Sequence, residues 1–151
     1  MKGKLIWSIF WLLVGVFVVV VSIFLIPALR DLLRGLPVII VSGSVLLLLG
    51  VALIVLTVRE KVTGLLKKFL LLTGASVAGI FVSVFLHNAI YGLFIHFFGA
   101  DFWDRIGLGG DEPFFFIMAT LVCPIGFLVG VVGSVVFGIK SKQAKHSSQS
   151  V

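Results

Sequence analysis

Four long apolar runs divide the chain. The first extends from Leu5 to Ile26 and stops at Pro27. The second runs from about Pro37 to Val58 and is closed by Arg59, Glu60 and Lys61. The third covers about Phe69 to Phe98, and the fourth Pro113 to Ile139. Apolar stretches of this length are the sequence mark of helices that cross a bilayer. At 1.5 Å rise per residue the first two span about 33 Å, close to a hydrocarbon core of roughly 30 Å. The third and fourth, at about 45 and 40 Å, exceed that thickness and must tilt or project beyond it.

The pattern predicts an all-α integral membrane protein. Residues 1–139 form one transmembrane domain of two helical hairpins, with helices at about 5–26, 37–58, 69–98 and 113–139. Residues 140–151 form a basic, disordered tail. Between Pro27 and Pro37, Leu29, Leu32, Leu33 and Leu36 recur at i, i+3, i+4 and i+7, with Arg30, Asp31 and Arg34 on the other side. That spacing predicts a short amphipathic helix lying on the outer membrane surface between the first two spans. The first run is too long for the apolar core of a signal peptide and no small-x-small site follows it, so it is read as a retained helix.

Composition agrees. Of 151 residues, 60% are hydrophobic and 12% charged, with a mean hydropathy of +1.29. Charge then sets an orientation. Lys2, Lys4, Arg59, Lys61, Lys67, Lys68, Lys140, Lys142 and Lys145 fall on one side of the predicted spans, and Arg30, Arg34 and Arg105 on the other. Nine against three is a strong positive-inside bias, which puts both termini in the cytoplasm and the protein in the cell membrane. The net charge of +6 is therefore read as a topological signal rather than a nucleic-acid surface, and the partners expected are membrane lipids and a homo-oligomer or larger membrane complex. Cys123 is the single cysteine, so it has no disulfide partner in the chain and is read as a small packing residue.

In lipid, small residues mark helix contacts. The third run offers Gly74, Ala75, Ala78, Gly79 and Ser83, and the fourth offers Gly126, Gly130 and Gly133, the first two as a G-x-x-x-G pair. These two helices are the expected close pair. Pro124 lacks the N–H for a helical hydrogen bond and is expected to kink the fourth helix.

The centre of each span lacks Asp, Glu, Lys and Arg, which argues against a proton- or sodium-coupled carrier. The polar exceptions gather near the outer end of the third helix. His87 and Tyr91 are one turn apart, Asn88 is adjacent, and His96 falls at the end. The following loop, Gly99 to Glu112, adds Asp101, Asp104, Asp111 and Glu112 beside Phe102 and Trp103, with Gly107, Gly109 and Gly110 loosening it. Asp111 and Glu112 before Pro113 form an acidic helix cap. His87, Asn88, Tyr91, His96, Asp101 and Asp104 are the candidate polar or ligand site. Interfacial anchoring with an interhelical hydrogen bond is its plainer reading.

No catalytic set, metal or cofactor is assigned. The chain has no C-x-x-C, H-E-x-x-H or G-x-S-x-G motif, and its membrane-region histidines share one helix, whereas haem held between helices wants them on two. The expectation is a non-enzymatic accessory, assembly or anchoring subunit of a membrane complex. A transporter or channel-like subunit with a polar site near the outer end of helix three is the alternative. A metal-binding or enzymatic protein using His87, His96 and the acidic loop comes after that.

Overall fold

The computed structural model describes residues 2–33, 37–109 and 112–147. Arg34, Leu36, Gly110, Asp111 and the tail beyond Ser147, all drawn on above, lie outside the described residues. The elements are α1 (Lys2–Leu25), α2 (Pro27–Leu32), α3 (Val38–Arg59), α4 (Gly64–Phe98), α5 (Phe102–Arg105), α6 (Pro113–Ile117) and α7 (Cys123–Ser147). A π-helical segment, Met118–Val122, joins α6 to α7. Among the described residues there is no strand. Four helical stretches are long and apolar enough to cross a membrane: Gly3–Leu25, Ile40–Arg59, Gly64–Phe98 and Pro113–Ser141.

Helix ends follow local chemistry. Pro27 disfavours helical backbone at Ile26, which is extended at φ −99°, ψ 107°, and Pro27 itself opens α2 at its first position. At the end of α3, Lys61 N–H donates to Val58 O (3.1 Å) and Val62 N–H to Thr57 O (3.3 Å). These are the paired bonds of a Schellman motif, with Lys61 in the left-handed position at φ 51°. The chain turns here over residues 60–63 alone. Lys67 and Lys68, which precede the third helix as expected from about Phe69, are already helical, so α4 starts at Gly64 and runs 35 residues. Two lysines following leucines are good helix formers whose long side chains reach water without leaving the helix. The same physics carries α7 past Ile139, where the chain was expected to become a disordered tail, to Ser147.

The helices pack around α4. A Cβ on Gly50 of α3 would lie 2.8 Å from Gly74 O and 3.7 Å from the Ala78 Cβ. On the opposite side, a Cβ on Gly126 of α7 would lie 2.6 Å from Ser76 Oγ, and one on Gly130 2.7 Å from Thr73 N. Phe69 occupies the space a side chain at Gly133 would need. The small residues of α4 thus serve two interfaces. Gly74 and Ala78 meet α3, Gly79 meets Cys123, and Ala75 is exposed. Two hydroxyls in these seams bond within their own helices, Thr57 to Leu53 O (2.7 Å) and Thr73 to Phe69 O (2.9 Å), whereas the buried Ser134 Oγ has no partner among the described residues.

The core is formed by Ile6, Phe10, Leu13, Leu46, Leu53, Leu70, Val77 and Phe127. It occupies the half of the bundle that ends in Lys4, Arg59 and Lys67. There Trp7 fills the space beside Gly138, Phe17 meets Phe127 at 4.0 Å between ring centroids, and Phe69 stacks on Phe137 at 5.4 Å. Outward, every long helix shows apolar side chains, among them Val18, Leu48, Val82 and Val132. The accessible surface is 10008 Å², against about 7,500 Å² for a compact soluble monomer of this mass. Hydrocarbon is the solvent suited to cover it.

Candidate functional site

The polar groups at the far end of α4 divide between two faces. His87 points toward the start of α6. Its Nδ1 lies 3.0 Å from the backbone oxygen of Glu112 and 3.3 Å from Glu112 Oε2. A carbonyl oxygen only accepts, so Nδ1 carries the proton and donates to both oxygens. Glu112 is buried and caps α6. Its Oε1 accepts from Phe114 N–H (2.8 Å) and its Oε2 from Phe115 N–H (3.0 Å). A carboxylate at this position also meets the positive end of the helix dipole, and Pro113 next to it needs no partner for a missing N–H. The result is a clasp joining α4 to the beginning of the fourth span across 25 residues of sequence.

Aromatic rings extend the clasp. The Tyr91 ring lies 6.4 Å from His87 and stacks on Trp103 at 6.2 Å with an interplanar angle of 8°. Trp103 is 5% exposed and also packs on Phe94 and Phe102, at 5.4 and 5.1 Å. Arg105 Nη2 donates to Phe98 O at 2.5 Å, fastening α5 to the end of α4. The Trp103 indole N–H has no hydrogen-bond partner among the described residues.

The other expected members lie elsewhere. Asn88, one residue and about 100° around the helix from His87, donates to Val84 O at 2.8 Å and faces α3. His96 is exposed, its ring edge-on to Phe97 at 5.3 Å. It is nine residues from His87, which places it about 13 Å further along the helix and on the opposite face. Asp101 and Asp104 are exposed. Among the described residues no three His, Cys, Asp or Glu side chains gather as a metal would require.

Sequence reasoning treated Glu112 as a cap and did not pair it with His87, nor did it bring Trp103 onto Tyr91. The available signal was that a histidine so near hydrocarbon needs a polar partner. Glu112, the last acid before the fourth span, was a candidate for that role.

A second feature lies on the Asn88 face. α1, α3 and α4 separate there around a cavity of about 370 Å³, lined by Val20, Phe24, Gly43, Leu46, Val77 and Asn88 among others. Its wall is almost wholly apolar.

Compared with protein-family models, with curated proteins and with solved structures, the chain finds no match in any of the three.

Proposed function

We propose that this chain is a non-enzymatic membrane component, an accessory, assembly or anchoring subunit of a larger complex in the cell membrane, with both termini cytoplasmic. The observation that carries the reading is the use of its membrane-region polar groups. His87 and Glu112 bond one another and the first N–H groups of α6, so their chemistry fixes the path of the backbone. The close glycine seams on both sides of α4 act in the same sense, giving a stiff apolar scaffold. The orientation rests on the nine basic residues of one side against three on the other.

The test is isolation of the full chain from its native membrane in a mild detergent after brief crosslinking. A second polypeptide at fixed stoichiometry is the expected result. A monodisperse monomer with nothing attached overturns the reading.

A further inference from the structure

The core closes one half of the bundle and stops at Leu46 and Val77. Beyond those two residues the cavity of about 370 Å³ begins, with Leu46 and Val77 as its floor and Asn88 among its lining residues. Its rim includes Phe24, Ile40 and Phe85, exposed by 48%, 70% and 65%. Side chains this exposed at the edge mean that the cavity opens sideways, onto the surface that hydrocarbon covers. A void there forfeits dispersion contacts along its whole wall, so the surrounding medium fills it.

Chemistry selects among the occupants a membrane offers. A hydrocarbon chain one methylene wide enters a cavity of about 370 Å³ that has apolar walls and opens onto hydrocarbon. The polar edge agrees with a molecule that has an apolar tail and a polar joint. Asn88 uses one N–H on Val84 O and keeps its other N–H and its side-chain oxygen without a partner among the described residues. An ester carbonyl or phosphate oxygen would accept from that N–H.

We infer that the cavity between α1, α3 and α4 is a binding site for one acyl chain of a bilayer lipid, taken from the leaflet at the Asn88 end, with Asn88 bonding the ester or headgroup region. This site is on the face of α4 away from the clasp and stands whether or not the chain serves a larger complex.

The test uses the full chain reconstituted in phosphatidylcholine vesicles doped with a phosphatidylcholine that carries a diazirine in its acyl chain. After irradiation, adducts are mapped by mass spectrometry. Gly43, Ile80 and Phe81 line the cavity and are half-buried, whereas Val18, Leu48 and Val132 stand exposed on the outward faces. The expected result is labelling at Gly43, Ile80 and Phe81, in excess over the outward residues, that saturates at one lipid per chain. Val84→Trp, which fills the mouth, lowers that labelling about tenfold, equivalent to roughly 1.4 kcal/mol. Leu48→Trp, on the outward face of α3, leaves it unchanged. Adducts spread evenly over the exposed apolar residues, with no excess at Gly43, Ile80 or Phe81, overturn the inference, as does labelling there that Val84→Trp does not reduce. Should Val84→Trp fail to fold, the distribution on the unsubstituted chain decides the matter by itself.

Discussion

Gly15 and Gly130 both sit in the middle of apolar helices, and their surroundings could hardly differ more. Nothing lies within 4 Å of where a Cβ on Gly15 would stand, whereas one on Gly130 would meet Thr73 N at 2.7 Å and Thr73 Cα at 3.0 Å. Backbone cannot swing aside as a side-chain tip can. Gly130→Ala should therefore push α7 from α4 and cost about 1–3 kcal/mol. Gly15→Ala should gain about 0.5–1 kcal/mol from helix propensity. Thermal melting in detergent checks both, and equal shifts for the two would mean that the α4–α7 seam is elsewhere. The clasp gives a second prediction at this scale. Glu112→Ala removes a cap worth about 0.5–2 kcal/mol. In a double-mutant cycle with His87→Ala, the two should couple by about 0.5–3 kcal/mol, as side chains in direct contact do. His87→Asn, whose amide nitrogen falls near the position of Nδ1, should keep more of the stability than His87→Leu. Gly74, Ala78 and Gly79 of α4 stand at helix contacts, whereas Ala75, grouped with them by composition, is exposed. Which neighbour each would meet was not legible in the sequence, because Gly74 and Gly79 share composition and differ only in their angle around the helix.

The spans themselves were the most legible feature, since a hydrocarbon solvent selects residues by a single property and a run of them is seen without tertiary information. Their ends were less so. Hydropathy changes where lipid meets water, while a helix ends where its hydrogen bonds end, and α4 and α7 both carry lysines inside the helical ladder. The irregularity near Pro124 shows the same separation between pattern and backbone. A π segment stands just before the proline, with Cys123 N–H donating to Met118 O five residues back. Such a turn holds one residue more than an α-turn. It lets Phe115, Ala119, Cys123 and Phe127, spaced by fours, stay near one face where a regular helix would drift about 40° at each step. Deleting Thr120 together with Pro124→Ala should convert the segment to plain α-helix while preserving the faces on either side. Deleting Val129 instead turns Gly126 and Gly130 about 100° apart from their shared face and should abolish folding. Comparable yields of monodisperse protein from the two deletions would contradict this account of the π segment.

At the scale of the whole molecule, the bundle has one end crowded with lysine and another closed by aromatic rings and acids. The beginnings of α1 and α4 meet the end of α7 at Trp7, Phe69, Phe137 and Gly138. Lys4, Lys67 and Lys140, close in sequence to those residues, therefore lie toward one end of the structure. The clasp, α5 and the stacked Tyr91 and Trp103 lie at the other end. Moving lysine clusters across a bilayer during insertion is costly, and the side with more of them stays in the cytoplasm. The consequence can be measured with one cysteine at a time in a Cys123→Ala background. Thr63 is exposed in the short turn between α3 and α4 and makes no side-chain cap bond, and Leu108 is 43% exposed in the loop after α5, so cysteine at either position should be harmless. A membrane-impermeant maleimide applied to intact cells should label Leu108→Cys and spare Thr63→Cys, and lysis should make both reactive. Labelling of Thr63→Cys in intact cells, with Leu108→Cys protected until lysis, would reverse the orientation. It would also put the His87–Glu112 clasp and the mouth of the acyl-chain cavity on the cytoplasmic side.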